Sequence, residues 1–500
     1  MSYEVVIVGG GIGGLTTAAL LAARGVNVCL FEKEARVGGC AATFQKFGYE
    51  FEAGASLYAS WQPGEIHERV FSELPTPAPE VRPVSPPYVV RLPDGTEVRL
   101  TENDEEFEAS LRAAFPECAR RAVAFYRELA PLGEALRRVS RRAPDLRTAS
   151  KLRRLQASAA EARTASGILA ALNHTAADHL DDAPPRFRRF IDVQLQIFAQ
   201  CASDACAYLY AAVALMLPRR GMYSMRGGAS SLADQLTEAI RKSGGTVRLN
   251  APVLRLAYDR SGRACGVDLL SGERVEARRA VVSNLTVWDT YGKLVGTHRT
   301  PNEVRTRLKT LRGWGAYLIY LGLDEETVER LPADHILALT DWQEGRVYDP
   351  EQAQFMFASA PAWDARAPTG RRAATVCTFT EASQWFAFHE DETEHEAQDQ
   401  TTLETWWARI HAAMPELGGG CEVIETATPR TFYDATRRRL GMVGGVGQRL
   451  DVFGMNSLSH RTGLPNLYMV GDSVFPGQGI AAVTQSGLIV ANEIAPPSRR

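Results

Sequence analysis

The chain has 500 residues, 45% hydrophobic and 23% charged, enough to bury a core shared among about two to four domain-sized units. A formal net charge of -3 argues against a general polyanion binder, and no nucleic-acid partner is expected. Eight cysteines without a CxxC pair, and without histidines at metal-ligand spacing, read as reduced thiols in a cytoplasmic chain that carries no metal.

The first predicted element is a buried strand at residues 4–8 (EVVIV), which stops at Gly9-Gly10-Gly11-Ile12-Gly13-Gly14. Gly9, Gly11 and Gly14 fit G-x-G-x-x-G. Residues 15–24, rich in Ala and Leu, predict a helix closed by Gly25 in the left-handed conformation, and 27–31 a second strand. The 15–23 stretch is apolar but has no basic segment before it, so it reads as structure rather than a secretory signal. In such a unit the glycines permit a tight turn, approach of backbone to a pyrophosphate, and close helix–strand packing. The helix N-terminus offers unpaired N–H groups to the phosphates. Glu32, about 20 residues beyond the loop, can accept hydrogen bonds from ribose hydroxyls. NAD and FAD satisfy this pattern equally. The following stretches, Arg36-Val37-Gly38-Gly39-Cys40 and residues 49–54 (YEFEAG), extend the contact surface, as suits a cofactor longer than an ADP half.

Residues 105–177 have helical spacing and read as inserted helices. Within them Arg137, Arg138, Arg141, Arg142, Arg147, Lys151, Arg153, Arg154 and Arg163 face few acids, mainly Asp145 and Glu161. A solvated face is one explanation; a peripheral contact with anionic lipid is the other. Residues 221–236 predict a glycine loop entering a helix, with Ser230 or Ser231 as N-cap. Strands are predicted at 246–249, 253–258 and 281–282, so that Val253 can offer backbone to an adenine. Further strand character at 314–323, 354–359 and 374–379 predicts the sheet of a substrate domain, and 389–400 an exposed helix start or loop. No apolar run reaches the roughly 18 residues of a membrane span.

The last element is a strand at 466–470 running into Gly471-Asp472-Ser473, then Pro476-Gly477-Gln478-Gly479-Ile480-Ala481-Ala482 and an apolar helix to about residue 494. A second helix N-terminus can stabilise negative charge on a reduced flavin, and Asp472 can accept from the polyol chain.

With these segments in view, the sequence resembles the flavoprotein family of phytoene desaturase, carotenoid cis-trans isomerase and carotenoid 3,4-desaturase, over nearly its whole length. The resemblance rests on VVIVGGGIGGLTTAALLA with EKEARVGG, VVSNLTVWDTYGKLV (281–295), TPRTF (428–432) and NLYMVGDSVFPGQGIAAVTQSG. The VSN-x-x-x-WDT-x-GKL and GDS-x-FPGQG blocks are most similar to the isomerases, GMVGGVGQR (441–449) to the 3,4-desaturases. It implies an α/β fold with a Rossmann-like FAD domain from 1–75, 220–300 and 455–500. A sheet domain for substrate would come from 76–104 and 301–454, and a helical insertion from 105–219. Cofactor contacts are implied at Gly9, Gly11, Gly14, Glu32, Gly39 and Val253, with Ile12, Gly13, Lys33 and Cys40 beside them, and at Gly471, Asp472, Gly479 and Ile480. Many members of the wider superfamily have Arg directly after the Gly38-Gly39 pair. Cys40 stands there instead, and is read as a small packing residue rather than a covalent flavin link.

There is no second strand-GxGxxG-helix unit for NADPH, so electrons are expected to pass between flavin, substrate and an outside acceptor, oxygen or a membrane quinone. The implied function is FAD-dependent carotenoid desaturation, at the 3,4 position, with prolycopene-type isomerisation by reduced FAD as the alternative. Amine or porphyrinogen oxidation and a non-enzymatic prenyl-chain escort complete the readings. No catalytic base is assigned; Gly477 and Gln478 are the near-ring candidates, and the protein is expected to lie peripheral to the membrane.

Overall fold

The structure is a computed structural model and describes residues 1–54, 56–142, 162–340, 345–387 and 391–497. Two seven-stranded sheets organise it. In the first, β1 (Ser2–Val8) pairs in parallel with β2 (Val28–Phe31) on one side and with Arg274–Ser283 on the other. Thr246–Arg248 extends the sheet beyond β2. The long strand Arg274–Ser283 serves two partners: its early residues pair antiparallel with Ala264–Leu269, and Val281, Val282 and Ser283 pair in parallel with Leu467–Met469.

The apolar run of β1 follows from burial on both faces. Val5 and Ile7 enter a core formed with helix α1 (Ile12–Ala23), helix Ala229–Lys242 and helix Ile480–Ile494, while Val6 and Val8 enter a second core with Val267, Trp288 and Met469. The second sheet runs in the order Cys421–Ala427, Gly315–Asp324, Arg371–Thr380, Gln354–Ser359, His335–Leu339, Tyr88–Arg91, Glu97–Leu100. Its neighbours are antiparallel except His335–Leu339 on Tyr88–Arg91. Helices Asp104–Ala114, Ala119–Arg142, Ala162–Ala171, Pro185–Ala199 and Tyr208–Met216 form a third body, with an aromatic core of Phe115, Phe125, Tyr126, Phe187 and Phe190.

Three local expectations are corrected. Helix Ala229–Lys242 is capped by Gly228 without a side-chain bond, because Ser230 Oγ instead accepts from Thr43 N at 2.8 Å and Ser231 Oγ donates to Arg226 O at 2.5 Å. The segment before it is not a loop throughout: Met222–Met225 is the middle strand of a small three-stranded sheet. The basic cluster also has more acids than its own segment supplies. Arg137 and Arg141 pair with Glu65, and Arg137 and Arg138 with Glu134. Arg147, Lys151, Arg153 and Arg154 lie outside the described residues, as does His389; helix Glu392–Ala413 begins just after it, capped by Asp391.

Candidate active site

A cavity of about 1550 Å³ runs from the C-terminal ends of β1 and β2 to the inserted helices. Its first end is made largely of backbone. Gly9 has φ +98°, and a Cβ on Gly14 would collide with the carbonyl of Gly9, so the turn into α1 admits only glycine at that crossing. No side chain caps α1, and its first amides are left for a ligand. Helix Ile480–Ile494 likewise starts without a side-chain cap, at Gly479. Both N-termini reach the cavity wall.

The predicted residues assemble there. Gly9, Gly11, Ile12, Gly13, Glu32, Lys33, Gly39, Cys40, Val253, Gly471, Asp472, Gln478, Gly479 and Ile480 line the cavity; Gly14 lies behind it and Gly477 beside a minor adjoining space. The Glu32 carboxylate is fixed by the backbone: Oε2 accepts from Gly10 N at 2.7 Å and Oε1 from Glu34 N at 3.0 Å. Each oxygen keeps lone-pair capacity for a further donor. Lys33 Nζ pairs with Glu34 and donates to Ala435 O at 3.2 Å.

Sequence reasoning missed three side chains. Asn284, from the VVSN block, wedges beneath the glycine loop: a Cβ on Gly11 would stand 2.6 Å from its Nδ2, and one on Gly13 2.8 Å from its Oδ1. The VVSN block was in view, but nothing local tells which residues its asparagine touches. Arg438 donates to Asp472 Oδ2 at 2.8 Å. Burial opposes its charge, but Asp472, with Cys40 and Asp289, offsets this and pushes its pKa up. Gln200 caps helix Pro185–Ala199 in the left-handed conformation (φ 59°), 6% exposed, and its Oε1 has no hydrogen-bond partner among the described residues. Burial pushes the Cys40 thiol up, with Arg438 opposing, which keeps it protonated and fits a packing role.

The second end of the cavity is apolar. Phe198, Leu209, Val213, Leu318, Met356 and Phe379 are among its walls. Leu169 and Leu172 also line it, although 68% and 44% exposed, so the cavity opens to the outside beside them. Where the ends meet, Gln478 Nε2 donates to Ile197 O at 2.8 Å, and Gln448 and Tyr210 stand closest to Gly477. Burial pushes the Tyr210 hydroxyl up. A second polar site borders the cavity: Glu52, 5% exposed, takes Arg366 Nη1 at 2.8 Å and the Tyr58 hydroxyl, while Arg366 Nε donates to Asp364 Oδ2 at 2.6 Å. Burial pushes the Glu52 carboxyl up, with Arg366 opposing.

A dinucleotide loop joined to a second uncapped helix N-terminus, with an acid beside each, fits the cofactor site of a flavoprotein oxidoreductase. The description of flavin containing amine oxidoreductases matches residues 12–495, and the chain belongs to that family. Prolycopene isomerase of Arabidopsis thaliana is 25% identical over 504 residues, covering 99% of this chain and 82% of that protein. All-trans-retinol 13,14-reductase of Homo sapiens is 25% identical over 551 residues, covering 98% and 85%. A double mutant of putrescine oxidase superposes with a TM-score of 0.66 at 15% identity, over 99% of each chain, a likeness of fold. The protein is an FAD-dependent oxidoreductase. The two uncapped helix ends and the backbone-held Glu32 fit that cofactor. Among the described residues no helix is long and apolar enough to cross a membrane.

Proposed function

We propose that this oxidoreductase acts on a long polyene of the carotenoid class, and that cis-trans isomerisation with reduced FAD is its reaction. The observation that carries the reading is the continuity of the cavity. At about 1550 Å³ it exceeds the roughly 300–1,000 Å³ of a single-ligand site and passes from a glycine-lined end to a mostly apolar one. Bound FAD would supply the electron or hydride exchange with the conjugated chain. The protein's own part is positional: Phe198, Val213, Met356 and Phe379 hold an apolar chain and exclude water, and Gly477 and Gln478 adjoin the junction. The names of the two relatives, an isomerase and a reductase of polyenes, favour the same class.

Desaturation at the 3,4 position is the second reading, favoured by the GMVGGVGQR segment, whose Val443 and Gly444 line the cavity. Oxygen or a quinone would then accept the electrons. We assign cofactor binding to 1–75, 220–300 and 455–500, and substrate binding to 76–104 and 301–454 together with the helical insertion 105–219, which supplies Phe198 and Val213. Peripheral membrane contact rests on the exposed Leu169 and Leu172 at the opening rather than on Arg137, Arg138 and Arg141, whose charges are partnered.

The test is to incubate the protein anaerobically with a cis-carotenoid. An equal-mass isomer formed only after flavin reduction supports isomerisation. A red-shifted product two hydrogens lighter, formed with oxidised FAD and an acceptor, supports desaturation, and no change in any polyene overturns the class.

A further inference from the structure

The cofactor end of the cavity has acids to spare. Glu32 and Asp472 both line it, and a pyrophosphate brings two further negative charges. The uncapped N-terminus of α1 offers only about half a unit of positive charge in compensation. The residue after Gly38-Gly39 is a thiol, Cys40. Of the cations on the wall, Lys33 is taken by Glu34, Lys293 by Asp289 and Arg437 by Asp434, while Arg36 lies within electrostatic reach of Asp234.

Arg438 differs from these in burial and in placement. It follows helix Pro429–Thr436, and its side chain is 18% exposed. Nη2 donates to Asp472 Oδ2 at 2.8 Å and to Gly444 O at 2.7 Å, and Nε donates to Met442 O at 2.7 Å. Nη1 donates to no described residue, and Arg438 is part of the cavity lining. The guanidinium also lies within electrostatic reach of Cys40.

Its two neighbours flank the first turn of α1. A Cβ on Gly39, next to Cys40, would stand 3.7 Å from Gly11 Cα, and one on Gly13 would stand 3.1 Å from Gly471 N, next to Asp472. Arg438 therefore bridges both sides of the helix end that offers its amides to phosphate.

We propose that Arg438 is a cation of the cofactor site and pairs with the FAD pyrophosphate through Nη1. Asp472 and the carbonyls of Met442 and Gly444 fix the plane of the guanidinium, which makes Asp472 a positioning residue for it. A planar fork held on one edge presents its other edge to phosphate oxygens in the geometry that favours Arg over Lys. The inference rests on FAD alone and stands whichever polyene reaction is correct.

The full-length chain, freed of flavin and titrated separately with FAD, ADP and riboflavin, tests this. R438M is expected to weaken FAD and ADP on the order of tenfold or more, while riboflavin, which has no pyrophosphate, binds as before. R438M/D472N, which removes both charges, stays weak for ADP, and C40R/R438M, which returns a cation from the facing loop, recovers ADP affinity. If R438M does not fold, R438K decides: its ADP affinity falls severalfold while riboflavin binding holds. Wild-type ADP binding in R438M or R438K, or its restoration in R438M/D472N, would overturn the proposal and leave Arg438 a counter-ion of Asp472.

Discussion

The two ends of the cavity are built by opposite means. The cofactor end is walled by backbone: glycines at fixed dihedrals, two uncapped helix starts, and a carboxylate that backbone amides hold in place. The apolar end is walled by side chains from helices and from the second sheet. A backbone wall is damaged by adding an atom, whereas a side-chain wall can be reshaped residue by residue while the fold persists. One end therefore conserves a single ligand geometry, and the other can be refitted to different chains.

The largest test of this contrast is Gly14→Val. With its Cβ driven into the Gly9 carbonyl, the purified variant is expected to show flavin absorbance near zero, if it accumulates at all. Next is the polar seam between the sheets. Arg366→Met strands Glu52, 5% exposed, without its cation, and a loss of about 3–5 kcal/mol in denaturant unfolding is expected. An unchanged midpoint would mean the pair is not closed in solution. Val213→Trp fills the apolar end and should reduce polyene turnover on the order of tenfold while flavin content stays at wild-type level. Flavin loss there would dissolve the distinction between the ends.

A smaller effect is expected from pH. Burial lowers His67 to about 3 and His335 to about 4, from an ordinary value near 6.5. Below pH 6.5 the unfolded chain binds protons that the folded chain refuses, so stability falls as the pH drops from about 6.5 toward 4. His335→Leu should flatten that slope in thermal melts read across the range. The smallest change is Leu169→Asp, a surface substitution expected within about ±0.5 kcal/mol of wild-type stability. It should nonetheless weaken sedimentation with liposomes, which an unaltered pellet would contradict.

Legibility from sequence divides along the same line. The glycine loop, Glu32 and the 471–482 segment are local patterns, and local patterns carry their geometry with them. Arg438 is tied to the site by Asp472, 34 residues on, and Gln478 donates to Ile197 O across 281 residues, bonds no local pattern announces. The acids of the basic cluster were misjudged for the same reason, since Glu65 is 72 residues from Arg137. Gly228 displaced the expected serine cap because Ser230 was claimed by Thr43, a tertiary bond 187 residues long. The strand Ala264–Leu269 escaped notice because its polar and small residues give no alternation to read.

The crossing of α1 by helix Ile480–Ile494 sets a schedule for making this protein. Thr17 and Gly487 touch across an interval of 470 residues, and Leu488, Val490 and Ile494 complete the core that Leu15 and Leu20 begin. At about 5–20 residues per second, a ribosome takes on the order of 20–100 s to cover that interval. For that time the nascent dinucleotide loop exists without this partner, with only helix Ala229–Lys242 and the sheet to cover α1. Flavin capture thus waits until the 471–494 segment has been made.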